Sequence, residues 1–158
     1  MSKLETNTID TVSGTSNLTI GGANNTGTTT IKTNNTNAVT IDNSQNLQFN
    51  SGYGSVATAY GCRAWVSFNG TGTVAINDSA NVTSITDGGV GIYTVNFTTN
   101  MPDANYSCVA TPGYATDTAL NFNASVHVPA VGSYIIRTRN VSNGSQGDLS
   151  LITSAVFR

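Results

Sequence analysis

From Cys62 onward, apolar and polar residues alternate in short runs with a period of two. The clearest run is GIYTVNFT (91–98), in which Tyr93, Val95 and Phe97 point one way and Ile92, Thr94 and Asn96 the other. Alternation of this kind marks a β-strand with one face buried. The same reading applies to CRAWVSF (62–68), TVAI (73–76), NVTSIT (81–86), NYSCVAT (105–111), ALNFNASVHV (119–128), SYIIRTRNV (133–141) and LSLITSAVF (149–157). Turn clusters separate them: NGTG, DGGVG, NMPD, TPGYATD, PAVG and SNGSQG. Short alternating strands with turn signals between them predict an all-β unit over residues 61–158, an antiparallel β-sandwich or jelly roll. Across 91–114 the pattern reads as a hairpin. Pro102 sets φ for its turn, Asp103 stands beside it, and Tyr106 restarts the next strand.

Residues 1–60 carry a different pattern. Short apolar pairs recur as LTI (18–20), TTI (29–31), VTI (39–41) and LQF (47–49), separated by GGANNTG, KTNNTN and DNSQN. This predicts short strands joined by tight turns, with no helical period. Ile9, Val12, Leu18, Ile20, Ile31, Val39, Ile41, Leu47 and Phe49 are nearly all the apolar side chains this stretch owns. Their burial does not offset the backbone entropy of ordering so long a segment. The expectation is a repetitive β stalk that buries its apolar pairs against copies of itself, with a homotrimer as the simplest solution. A flexible Thr/Asn linker would not need alternating Leu-x-Ile pairs.

Composition narrows the function classes. Charged residues make up 9% and hydrophobic residues 38%, so Asn, Thr, Ser and Gly carry the polarity. With a net charge of −2 and no Lys/Arg run, the chain lacks the footprint of a nucleic-acid binder. No apolar stretch reaches the length of a membrane-spanning helix. The first residues, MSKLETN, lack the apolar core of a signal peptide, which points to synthesis in a cytoplasm, where the chain stays or from which it is carried out as part of an assembly. Cys62 and Cys108 are the two cysteines. A disulfide and a pair of free thiols are both open, and a reducing compartment favours the thiols.

Titratable groups are few. His127, the one histidine, sits in the alternating run Val126-His127-Val128 and reads as a strand residue facing away from the valines. It has no G-x-S-x-G elbow or Cys-x-x-Cys to work with. Asp78, Asp87, Asp103, Asp117 and Asp148 each stand in a turn context, where a carboxylate caps the local backbone. None of these patterns calls for a catalytic residue, a metal or a cofactor. Sequons such as Asn81-Val-Thr arise by composition in so Asn- and Thr-rich a chain. Trp65, Phe68, Tyr93, Val95, Phe97 and Tyr106, with Phe122 and Phe157, are the expected core. Tyr53, Tyr60 and Tyr114 fall in Gly-flanked loops. Tyr114, with Asp117 close by in TPGYATDT, is the candidate for contact with a glycan: a flat ring face for stacking and an acceptor for hydroxyls.

The block 62–114 resembles the C-terminal domains of bacteriophage fibre proteins, particularly those of marine and cyanobacterial phages. The resemblance rests on the Cys-Arg-Ala-Trp-Val start (62–66), the Asn-Gly-Thr-Gly hairpin (69–72), the strand Ile-Thr-x-x-Gly-x-Gly-x-Tyr-x-Val-x-Phe (85–97) and the Met-Pro-x-Ala-Asn-Tyr turn (101–106). NTIDTVSGTSNLTIGG (7–22) is similar to fibre stalk openings in the same group. The resemblance implies a non-enzymatic, homotrimeric protein of the virion surface. Residues 1–60 would attach it to another virion protein, and the knob of 61–158 would meet a host receptor or surface polysaccharide. Longer members carry a shaft and an adaptor domain that have no counterpart here, so a tail fibre and a capsid decoration or head fibre both stay open. A polysaccharide depolymerase is the reading the residues favour least.

Overall fold

The computed structural model describes residues 27–33, 36–50, 56–113 and 121–158. Every regular element among them is a β-strand. The chain divides into two compact units, Met1–Ala59 and Tyr60–Arg158.

In the first unit, β1 (Thr29–Thr33), β2 (Thr36–Ile41), β3 (Leu47–Phe49) and β4 (Ala57–Thr58) form one antiparallel sheet in chain order. TTI, VTI and LQF are therefore strands, LTI lies outside the described residues, and β4 is an addition that its two-residue length hid. The β2–β3 turn is built around Asp42. Its carboxylate accepts hydrogen bonds from the backbone N–H groups of Asn46 and Ser44, both at 2.9 Å. The amides of Asn46 and Gln48 reach its other oxygen. The bond from the Asn46 N–H, with those of the Asn46 amide and the Ser44 N–H, holds the carboxyl below its ordinary pKa. Gln45 takes the left-handed conformation that closes the turn, φ 67°.

The second unit holds eight strands: β5 (Cys62–Asn69), β6 (Ala75–Ala80), β7 (Val82–Asp87), β8 (Ile92–Phe97), β9 (Ser107–Gly113), β10 (Phe122–His127), β11 (Ser133–Asn140) and β12 (Leu151–Phe157). They form two four-stranded antiparallel sheets, β6-β5-β12-β9 and β10-β11-β8-β7. The central strands of each sheet supply one shared core. Ala64, Val66 and Phe68 of β5 and Ile152 and Val156 of β12 meet Tyr93, Val95 and Phe97 of β8 and Tyr134 and Ile136 of β11. Phe68 and Tyr93 meet edge to face across the sheets with ring centres 5.2 Å apart, and Phe97 is flanked by Tyr106 and Tyr134. This is a β-sandwich. The pairs β5–β6, β7–β8 and β10–β11 are hairpins kept inside single sheets. A jelly roll, in which successive strands alternate between sheets, is not what these pairings draw.

Four expectations are corrected. First, the stretch 91–114 is no hairpin. β8 pairs with β7 and β11, while β9 pairs with β12 in the other sheet. The Met-Pro-Asp segment is a crossover that caps the end of the sandwich with Met101 buried beneath it. Second, Trp65 is not core. It is 38% exposed on the outer face of β5, because Ala64, Val66 and Phe68 occupy the inner one. Third, Phe157 is likewise exposed. Fourth, Asp78 lies within β6 and not in a turn, since that strand begins two residues later than TVAI predicts and runs to Ala80. Phe68, Tyr93, Val95 and Phe97 are buried as expected, and Tyr106 packs partly buried against them.

Candidate functional site

The aspartates do local structural work. Asp87 accepts from the Gly89 N–H at 2.8 Å, and Asp103 from the Asn105 N–H at 2.7 Å. Asp103 also pairs with Arg158, whose guanidinium donates to the Asn105 carbonyl as well, so this fork ties the β8–β9 crossover to the end of β12. Asp148 also reaches far along the chain. It accepts from the Gly91 N–H and from the Tyr93 hydroxyl, both at 2.7 Å. Burial and the neighbouring Asp148 carboxylate both push the Tyr93 phenol above its ordinary pKa, burial most. His127 Nε2 meets Ser125 Oγ at 2.8 Å on the outer face of β10, with no carboxylate among the described residues hydrogen-bonded to either side chain. Among the described residues no three His, Cys, Asp or Glu side chains gather in a way that would hold a metal, and no helix is long and apolar enough to cross a membrane. Tyr114 and Asp117 lie outside the described residues.

The two cysteines are free thiols. Cys62 and Cys108 sit on β5 and β9, which flank β12 on opposite sides. Two strand spacings of about 4.8 Å separate them, beyond the Cα separation a disulfide spans. Burial pushes the Cys108 thiol up to about 11.

Two surfaces stand out. The first is the outer face of the β5/β12/β9 sheet. In the register, Trp65 stands between Ala80 of β6 and Ala155 of β12, and Ala155 is opposite Val109 of β9. Small side chains on both sides leave the indole uncrowded. The adjacent row, two residues along, runs Asp78, Ser67, Thr153, Thr111. Trp65, Ser67, Val109, Thr111, Thr153 and Ala155 line an open depression of about 240 Å³. Sequence reasoning missed this face because it placed Trp65 and Phe68 together in the expected core. The signal available was the alternation itself, which puts Trp65 on the opposite side from Phe68.

The second surface is one face of the first unit's sheet. Ile31 pairs with Val39, Val39 with Phe49, and Phe49 with Ala57; Ile41 pairs with Leu47 in the next row. Alternation puts all of these on one side. Thr30, Lys32, Thr40, Gln48 and Thr58 take the other. The apolar side is open: Ile31 is 61% exposed and Phe49 44%, with Ile41 and Leu47 between those values.

Comparison with known proteins found no family model, no curated protein and no solved structure that matches the chain.

Proposed function

We propose that the chain is a structural protein of a bacteriophage virion: a short homotrimeric fibre. Its first unit associates with its own copies and with another virion protein, and its sandwich unit meets the host surface. One observation carries the reading. A sheet with Ile31, Ile41, Leu47 and Phe49 exposed on one face is unfavourable as a monomer, since each large side chain gains about 1.5–3 kcal/mol on burial. Copies of the chain bring identical apolar rows of Ile31, Val39, Phe49, Ile41 and Leu47 to one another, and the face carries no charge to oppose that. The resemblance of 62–114 to phage fibre domains supplies the biological setting. Asp42, Asp87 and Asp103 serve turns and the crossover and Asp148 holds Gly91 and Tyr93, which favours a scaffold without catalysis.

Light scattering on the purified full chain tests the assembly. A mass of three chains is expected, and Ile41→Asp or Phe49→Asp is expected to release monomers. A monomer at tens of micromolar for the unaltered chain removes the basis of the proposal. Antibody labelling of virions then separates a tail fibre from a capsid decoration. Competition between the purified protein and virions for host cells tests adsorption.

A further inference from the structure

We propose that the outer face of the β5/β12/β9 sheet binds a neutral polysaccharide, with Trp65 stacked on one sugar ring and the hydroxyls of Ser67, Thr111 and Thr153 meeting the ring's hydroxyl groups. The inference deepens the adsorption reading above.

Three features select this occupant. The first is the ring. An indole held on a strand offers a rigid flat apolar face at low entropic cost, which suits the C–H face of a pyranose. Ala80 and Ala155 on either side in the register leave that face accessible. The second is the polar row. Ser67, Thr153 and Thr111 run parallel to the Trp65–Ala155–Val109 row, two residues away along each strand, about 6.6 Å. A ligand lying across the strands thus meets an aromatic row and a hydroxyl row side by side. Ser67 and Thr111 make no side-chain hydrogen bond to another described residue, and Thr153 only a long one of 3.5 Å to the Thr111 carbonyl. Their hydroxyls are open to a ligand. The third is charge and size. The residues lining the depression are all uncharged, and Asp78 and the exposed Arg63 flank it on the same face with opposite charges, so nothing there selects a charged chain. Trp65, Val109 and Phe157 together expose on the order of 250 Å² of apolar surface, against about 800 Å² per partner in a stable protein interface. The depression, about 240 Å³, is also smaller than the pockets of about 300–1,000 Å³ that enclose compact ligands. A sugar chain crossing an open sheet face, reading one ring at a time, fits both limits.

Trp65 is the protein's one tryptophan, so it reports on its own site. The test is to titrate the full chain with soluble neutral glucans, mannans and galactans while following tryptophan fluorescence, with sulfated dextran as the charged control. A saturable blue shift with at least one neutral polysaccharide, and none with the sulfated one, is expected. In affinity electrophoresis, Trp65→Ala should weaken retardation by that polysaccharide at least tenfold, while Trp65→Phe should retain part of it. Both variants should keep the melting temperature and the mass of the unaltered chain. A silent tryptophan across the panel overturns the proposal. So does a Trp65→Ala chain of lower oligomeric mass, which would make this face a protein interface. The two readings fail separately. Competition for host cells with a silent Trp65 leaves adsorption standing and removes this site; a responsive Trp65 without competition does the reverse.

Discussion

Asn81 stands alone between β6 and β7, which belong to different sheets. It takes the left-handed conformation, φ 56°, which Asn tolerates better than other residues with a Cβ. Its side-chain amide then pairs with the Thr99 backbone as a strand would, accepting from the N–H at 2.7 Å and donating to the carbonyl at 3.0 Å. One residue thus turns a strand through a corner and anchors the start of the crossover. Asn81→Ala is expected to cost about 2–4 kcal/mol, combining lost hydrogen bonds with the left-handed penalty, and Asn81→Gly less. Chemical denaturation measures both. Gly91 has a comparable constraint at φ 66°: a Cβ there would lie 2.7 Å from the Thr138 carbonyl oxygen. The buried hydroxyls of Tyr134 and Ser154, 2.6 Å apart, join the two sheets. Tyr134→Phe should cost about 1–3 kcal/mol by orphaning Ser154, and adding Ser154→Ala should recover part of the loss. Cys108 gives an alkaline signature. Its thiol is raised to about 11 in the folded chain, so the unfolded chain releases that proton first. Its contribution to stability is complete below the ordinary thiol value near 9 and is lost as pH rises through about 11. Melting temperatures between pH 8 and 11 should therefore fall less steeply in Cys108→Ala than in the unaltered chain.

At the scale of elements, alternation made the strands legible because each buries one face, and all eight runs after Cys62 become strands. Pairing was not legible. Period two says that Tyr93, Val95 and Phe97 share a face, but it does not say which strand lies alongside. The short turn around Pro102 suggested a hairpin, yet it crosses sheets because Met101 and Tyr106 have core to cover. The face of β5 was misjudged for a related reason. The pattern allows either Ala64, Val66 and Phe68 or Trp65 inside, and the expected core took both Phe68 and Trp65 although they face opposite ways. The choice fell to the packing opposite, where Tyr93 fills the space over Phe68. Asn81, the pivot of the corner, looked like an incidental sequon because its role depends on Thr99, a neighbour only in the folded chain. The Asp103–Arg158 fork is similarly invisible in sequence. It is partly exposed, so Arg158→Ala should lower stability by about 1 kcal/mol or less. Its clearer effect should be faster amide exchange in residues 101–106.

For the whole molecule, the buried core lies in Tyr60–Arg158, whereas the first unit's apolar side is open to water. A chain starting at Tyr60 should fold alone and melt within a few degrees of the full protein's sandwich transition. A chain ending at Ala59 should show a melting temperature that rises with concentration, since its structure draws on association. Calorimetry on the two pieces separates these behaviours, and a concentration-independent transition for the first piece would count against self-association.

The corner at Asn81 has a consequence for colloidal behaviour. With 9% charged residues and a net charge of −2, neighbouring molecules repel one another only weakly. Open ladders of unpaired N–H and C=O groups would then recruit strands from other chains. The sandwich keeps its four single-partner strands, β6, β7, β9 and β10, short and interrupts them. β6 and β7, each the last strand of its sheet, are one ribbon bent at Asn81. At the opposite side β9 runs beside β10 and carries Pro112, which has no N–H to donate. Folded geometry therefore takes over the task that charge performs in most proteins, and it lasts only while the fold does. Heating past the sandwich transition should end in irreversible precipitation with a scan-rate-dependent midpoint, where a highly charged sandwich would refold on cooling.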